Sequence, residues 1–384
     1  MDNKEELKNK IFTRGTEEII DGVHLKLALN SGKKLRVKLG IDPTKPDIHL
    51  GHTVPLLKLR EFQDLGHQAV LIIGDFTAQV GDPSGRSTER KPLTEKEIKV
   101  NLKHYLDQAG KVINIKKTEV HYNSEWFRKE GLPAILEMAR AATFQQVIKR
   151  ADFQKRIDAG QDITFLEIMY PLLQGYDSFK IKADVEIGGT DQKFNLLMGR
   201  RIQRHFGQEE QDIITVPLIE GLDGVRKMSK SYDNYIGLNE KPEDMFGKLM
   251  SVPDALTDRY FTNFTEVPPP GGNPYEAKML LAETITRMYH SEKEAARAKE
   301  NWINTFSKKE IPDDIRELRI ENRELRMLEV LIAAGVPSKS EARRLIEQGA
   351  IKVNGEVVKN PNETRKDGDI VKIGKKEFVK IKAK

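Results

Sequence analysis

Two short segments carry the side chains best suited to handling a triphosphate. His49-Leu50-Gly51-His52 sets two imidazoles across a glycine, just ahead of a stretch, residues 53–65, that reads as a helix. Lys227-Met228-Ser229-Lys230-Ser231 sets two ammonium groups three residues apart, in a loop flanked by Gly224 and Gly237. Nucleotidyl transfer needs positioning and charge neutralisation more than a covalent partner from the protein. Imidazole and ammonium N–H groups supply donors to phosphate oxygens. Gly51 has no Cβ, so a nucleotide is expected to approach the backbone there. The helix that follows is expected to aim its first N–H groups at phosphate. Lys227 and Lys230 are expected to close over the leaving pyrophosphate. Either segment alone reads as a polar surface turn. The ordered pair, with strand-like segments between, points to one nucleotide site.

Three further constellations accompany the pair. In Tyr170-Pro171-Leu172-Leu173-Gln174-Gly175-Tyr176-Asp177, residues 170, 174 and 177 fall on one helical face. A phenol, a carboxamide and a carboxylate there, amid Met169, Leu172 and Leu173, need polar partners once buried. An amino acid with an ammonium group and a polar ring end would supply them. Gly81-Asp82-Pro83-Ser84-Gly85-Arg86 is turn-rich and runs on to Arg90; Asp82 would suit a substrate ammonium, and Arg86 and Arg90 phosphates. Gly188-Gly189-Thr190-Asp191-Gln192 follows a strand-like run, residues 183–187, and precedes a helix, residues 193–204. Its diglycine permits close backbone approach, and Asp191 would accept from ribose hydroxyls.

The elements that must position these groups alternate. Residues 35–41 read as a strand running into Asp42-Pro43-Thr44, and residues 69–74 are an apolar run typical of a strand buried on both faces. With the helix between them they form a strand–helix–strand unit, hence a parallel pair. Thr94 and Glu97 make a capping box for a helix to about Ala109. Residues 132–158 are helix-rich, and residues 213–219 are a further strand ending near Pro217. The expected fold is α/β: a Rossmann-like doubly wound parallel sheet over residues 1–238, a helical domain over 239–325, and a small α+β domain over 326–384. The helical domain includes the breaker-rich stretch 265–274 and a long helical stretch 276–306. The last domain shows helices at 326–334 and 340–348, then short strands with turns at Asn354-Gly355 and Asp367-Gly368.

Composition sets the class. The chain has 384 residues, 38% hydrophobic and 32% charged, enough for two or three globular domains. It holds no run of eighteen apolar residues, so no membrane span is expected, and its charged N-terminus lacks the apolar stretch of a signal peptide. There is no cysteine, which excludes disulfides and thiolate catalysis. A cytoplasmic location fits best. The net charge of +5 is uneven: residues 326–384 carry 14 Lys and Arg against 8 Asp and Glu, which leaves −1 for the rest. The tail therefore suits a polyanion.

Together these residues resemble a class I aminoacyl-tRNA synthetase, and more closely the bacterial tyrosyl-tRNA synthetases of the branch with an intact Lys-Met-Ser-Lys-Ser loop. The likeness runs from about residue 30 to the C-terminus. It implies that Tyr170, Gln174, Asp177 and Gln192 line a tyrosine pocket, with Asp177 accepting from the phenol hydroxyl. It implies that Tyr170, Gln174 and Asp82 hold the α-ammonium, that Asp42 lies beside the amino acid and its adenylate, and that Asp191 binds ribose. His49, His52, Arg86, Arg90, Lys227 and Lys230 would stabilise the pentacovalent phosphorus and the pyrophosphate, with Gly51 beside the ATP. One departure stands out: many relatives carry a second phenol where this chain has Lys38. The resemblance further implies ATP as substrate with Mg²⁺, no prosthetic group or protein-held metal, tRNA(Tyr) and L-tyrosine as partners, and a homodimer. Another class I nucleotidyl transferase or a tryptophanyl relative is the first alternative, which the Tyr170, Gln174, Asp177 spacing argues against; a non-catalytic RNA-binding protein with a synthetase-like body is the second, which the full set of phosphate-handling residues argues against. The stretch from Ser338 through Arg343-Arg344 to Val353-Asn354-Gly355 resembles the RNA-binding fold of a ribosomal small-subunit protein, which implies that Arg343 and Arg344 contact RNA phosphates.

Overall fold

The computed structural model describes residues 3–84, 93–307, 315–320, 325–374 and 377–383. They fall into two compact units, Met1–Ala295 and Ala296–Lys384. The first is built on a six-stranded sheet: β1 (Glu18–Ile20), β2 (Arg36–Ile41), β3 (Gln68–Ile73), β4 (Thr118–Tyr122), β5 (Val185–Gly189) and β6 (Asp212–Val216). The strand order is β1-β6-β5-β2-β3-β4. All neighbours are parallel except β1, which pairs antiparallel with β6 on the edge. The chain winds one way from β2 to β3 and β4, and the other way through β5 and β6. The reversal falls between β2 and β5, where open α/β sheets bind ligands at the carboxyl ends of their strands.

Apolar runs explain the sheet. Ala69 through Ile73 are all buried, as are Ile213, Ile214 and Val216. Each large side chain so buried contributes about 1.5–3 kcal/mol. β6 ends at Val216 because Pro217 has no N–H for a further ladder bond. Four helices matter to the site: α1 (Leu50–Asp64), α2 (Ser124–Arg140), α3 (Phe165–Ile181) and α4 (Lys193–His205). Thr164 caps α3 and Glu167 completes its capping box. α3 and α4 pack closely along their length because Gly175 and Gly199 leave room. A Cβ on Gly175 would lie 3.0 Å from Ile202 and 3.1 Å from the Met198 backbone. The long helical stretch expected after residue 275 is two helices, Pro274–Tyr289 and Glu292–Trp302.

In the second unit, α5 (Met327–Ala334) and α6 (Lys339–Glu347) share a core with a five-stranded sheet; Val330, Leu331, Ala342, Ile346, Ile351, Val371 and Val379 form its centre. α5 ends on Gly335 at φ 111°, a left-handed conformation that favours glycine. The expected turn at Asn354-Gly355 has φ 49° and 93°, the signature of a two-residue hairpin loop, here joining strands Ile351–Val353 and Glu356–Val357. Arg343 and Arg344 are exposed on α6, with Arg344 paired to Glu341 at 2.6 Å.

Candidate active site

At the carboxyl ends of β2, β3 and β5 lies a cavity of about 230 Å³, lined among others by Asp42, Thr77, Asp82, Tyr170, Gln174, Asp177 and Gln192. The helical spacing of 170, 174 and 177 thus puts all three residues on one wall. Asp42 follows β2 directly. It accepts from the Tyr170 hydroxyl at 2.9 Å and from the Thr77 hydroxyl at 2.8 Å. Gly74 makes that position possible: a Cβ there would lie 1.9 Å from Asp42 Oδ1 and 2.3 Å from Thr77 Oγ1. Gln192 donates to Asp82 at 2.8 Å, and Asn195 donates to both Gln174 and Gln192 at 3.0 Å. Buried Arg150 holds the Asp82 loop from behind, donating to Ser84 Oγ at 3.0 Å and to Asn195 at 2.8 Å.

Asp177 closes the inner end. It accepts from Trp126 Nε1 at 3.0 Å and from Asn123 Nδ2 at 3.2 Å, and Asn123 also donates to Thr77 at 3.0 Å. Burial pushes its carboxyl up to about 7, against the opposing pull of the Lys38 ammonium and of the Asn123 and Trp126 donors. Lys38, at the position of the expected second phenol, is wholly buried, with its ammonium on Glu186 at 2.8 Å.

A second cavity, about 510 Å³, adjoins the first; Asp42, Thr44, His52, Pro55, Gly189 and Gln192 line both. Its other walls are Asp47, His49, Gly51, Asp191 and the stretch from Lys227 to Ser231. The two distant motifs are joined by backbone. Leu50 N–H donates to Ile236 O at 2.9 Å, and Leu238 N–H to Ile48 O at 3.0 Å. Asn234 staples the lysine loop, donating to the carbonyls of Arg226 and Lys227 at 3.2 Å and accepting from Ser229 N–H at 2.8 Å. Lys227 rests on Asp191 at 2.9 Å and Lys230 on Asp47 at 3.0 Å.

The structure adds detail to these expectations. The first N–H groups of α1 do not face open solvent. Besides the Leu50 bond, Gly51 N–H lies 3.3 Å from Met228 Sδ and His52 N–H 2.9 Å from His49 O. Gly51 is required by its own neighbours: a Cβ would come within 3.0 Å of the His49 ring and 3.6 Å of Met228. The histidines are neutral at pH 7. Burial, with the neighbouring cations, drives His52 down to about 4 and His49 lower still. Each imidazole therefore offers one N–H, and positive charge comes from the lysines. His49 Nδ1 is buried without a hydrogen-bond partner. Asp191 accepts from Lys227 here, so a ribose would exchange with that contact. Arg86 and Arg90 lie outside the described residues.

Sequence reasoning passed over Gly74, Thr77, Asn123, Trp126, Arg150, Asn195 and Asn234. Trp126, one of only two tryptophans, carried a weak signal. The others carry none: apart from Asn234, which acts within its own loop, their roles depend on contacts with residues distant in the chain.

An open α/β sheet with two adjoining cavities at its reversal of winding is a nucleotide-binding architecture. The family model for class I tRNA synthetases (W and Y) matches residues 30–307, and that for the S4 domain matches residues 329–371. The chain is 49% identical to the tyrosine–tRNA ligase of Aquifex aeolicus, over 97% of each chain, and 45% identical to that of Thermotoga maritima, over 97% of this chain and 96% of the other. A C-terminally truncated mitochondrial tyrosyl-tRNA synthetase from Aspergillus nidulans has the same fold, with TM-score 0.66 at 21% identity, covering 80% of this chain and 95% of that one. The chain belongs to the class I tRNA synthetases and, within them, to the tyrosine–tRNA ligase family.

Proposed function

We propose that tyrosine occupies the smaller cavity and ATP the larger, and that their shared wall is where the two react. The chain activates tyrosine with ATP and charges tRNA with the product. The observation that carries the siting is the common boundary at Asp42, His52, Gly189 and Gln192. A carboxylate on one side and an α-phosphorus on the other would meet there. The carboxylate oxygen attacks phosphorus and pyrophosphate leaves with the broken bond's electrons. A terminal ribose hydroxyl of the tRNA then takes the tyrosyl group and releases AMP.

In this reading Asp177 accepts from the substrate phenol. Tyr170, Gln174 and Asp82 hold the ammonium, Gln192 borders the pocket, and Asp42 faces both substrates. Lys227 and Lys230 give up their carboxylate partners to triphosphate oxygens, and neutral His49 and His52 donate beside Gly51. Asp191 takes the ribose, and Arg86 and Arg90 act on phosphates. Mg²⁺ arrives with ATP as part of the substrate. Arg343 and Arg344 on α6 contact RNA phosphates, and the helices of the first unit from Pro242 onward form the anticodon-side domain. A cytoplasmic location is part of this reading. No helix among the described residues is long and apolar enough to cross a membrane.

Amino-acid-dependent pyrophosphate exchange tests this reading. Tyrosine should drive exchange and other amino acids should not; exchange with tryptophan alone refutes it. The pH profile is a sharper check. Asp177 titrates near 7, well above its ordinary value of 3.8, so its proton is held at acidic pH. Below 7 the charged acceptor for the phenol is lost, so kcat/KM for tyrosine should rise with pH through about 7, and Asp177→Asn should flatten that rise. The same raised value means that its contribution to stability is full below about 4 and is lost as pH climbs through 7.

A homodimer is the assembly we assign. Its support is an apolar surface on three helices that pack together: Phe165 is 85% and Leu132 64% exposed, with Leu136, Phe144 and Leu166 also exposed. Such a concentration of exposed large apolar groups marks an interface. Phe165→Asp should shift the full chain to monomer in sedimentation at micromolar concentration. An unchanged dimer would place the interface elsewhere.

A further inference from the structure

Lys38 sits on β2, the strand beside the reversal of winding, with its side chain wholly buried. Its three N–H donors have three acceptors: Gln174 O at 2.9 Å, Ser178 Oγ at 2.8 Å and Glu186 Oε1 at 2.8 Å. Two of these lie on the turn of α3 that carries Asp177. Glu186 in turn accepts from Gln174 Nε2 at 3.2 Å, from Ser178 Oγ at 2.9 Å and from Gln211 Nε2. One buried pair thus holds both the backbone of α3 and the side chain of Gln174, whose other end is fixed by Asn195. The charged groups acting on Asp177 are Lys38 from β2 and Glu186 from β5. Asn123, at the N-cap of α2, and Trp126 in its first turn are neutral donors. Asp42 is linked to Asp177 through Thr77 and Asn123.

We propose that Lys38 is a specificity-determining positioning residue: its ammonium supplies the counter-charge for Asp177 and, with Glu186, fixes the turn of α3 from which Asp177 and Gln174 face the substrate. Without it, two carboxylates would share one dry region, and one would take up a proton. If that carboxylate is Asp177, the acceptor for the substrate hydroxyl becomes a donor, and preference for tyrosine over phenylalanine falls. The inference rests on the tyrosine pocket assigned above. It adds that a residue outside the cavity lining governs how the hydroxyl is read.

The test compares Lys38→Met, the charge-balanced double variant Lys38→Met with Glu186→Gln, and Asp177→Asn, all in the full chain. The readouts are kcat/KM in pyrophosphate exchange with tyrosine and with phenylalanine as a function of pH, and the melting temperature. Lys38→Met should lower the tyrosine to phenylalanine ratio at least about tenfold and move the acid limb of the tyrosine profile upward by about one pH unit or more. The double variant removes the uncompensated Glu186, so it should recover the melting temperature, while Asp177, still buried and without its Lys38 counter-charge, keeps the ratio low and the limb displaced. Recovery of ratio and limb together would make the pair a structural unit only and overturn the proposal. Should Lys38→Met fail to fold, the double variant decides alone by the same criteria. Asp177→Asn separates the two levels: a lowered ratio there, with wild-type behaviour in both Lys38 variants, defeats this proposal and keeps the pocket. An unaltered ratio in Asp177→Asn defeats the pocket itself.

Discussion

Lys230→Ala will slow tyrosyl-adenylate formation by about 10²–10³-fold, the usual cost of removing one donor aimed at charge that develops in a transition state. Burial keeps His49 and His52 neutral, so they donate hydrogen bonds but bring no charge to the triphosphate. The cations lining the larger cavity among the described residues are Lys45, Lys227 and Lys230. Lys230 is the most enclosed of the motif's two lysines, with its ammonium on Asp47 at 3.0 Å and 5.7 Å from the Tyr235 ring centre. Burial already lowers its proton affinity, opposed by Asp47, so an anionic triphosphate is a favourable replacement partner. Because the residue lies in the larger cavity and not in the smaller one, tyrosine affinity should be nearly unchanged. Single-turnover adenylate formation and equilibrium tyrosine binding check the two halves. A wild-type rate would mean that the loop's charge is not used on phosphate.

Gly74→Ala is expected to lower kcat/KM for tyrosine by about a hundredfold without unfolding the chain. The added methyl would stand 1.9 Å from Asp42 Oδ1, a distance at which something must move. Gly74 N–H is bonded to Ile41 O at 3.0 Å, so the backbone is tied to β2 and the Asp42 side chain is the part that must yield. Moving it breaks the contacts with Tyr170 and Thr77, and Asp42 borders both cavities. Displacing a positioning group by an ångström costs about 10² in rate. Overpacking costs a further 1–3 kcal/mol or so in stability, which a shift of the melting temperature reports separately. Activity near wild type would show that Asp42 does not need that position.

Much of the catalytic body was legible in the chain itself. β3 and β6 are short apolar runs ended by turn chemistry or proline, and both lie where such runs predict. The capping box at Thr94 and Glu97 opens a helix, although the helix stops at Leu102 and a second turn of helix spans Tyr105–Ala109. The face shared by Tyr170, Gln174 and Asp177 follows from helical period alone. Edge strand β1 escaped notice because three residues, Glu18–Ile20, offer too little pattern to read. Gly74 read only as the end of a strand, since the atom that would collide with it belongs to residue 42.

Residue order determined the elements, the turn glycines and the chemical identity of the groups that would meet ATP and an amino acid, because period, capping and side-chain type are local properties. Tertiary structure alone decided that His49 and His52 are neutral, that the first N–H groups of α1 are already bonded, that Asp177 titrates near 7, and that Lys38 is a buried partner of Glu186. Each of those depends on desolvation or on contacts between residues far apart in the chain. Neither exists until the strands have been brought side by side.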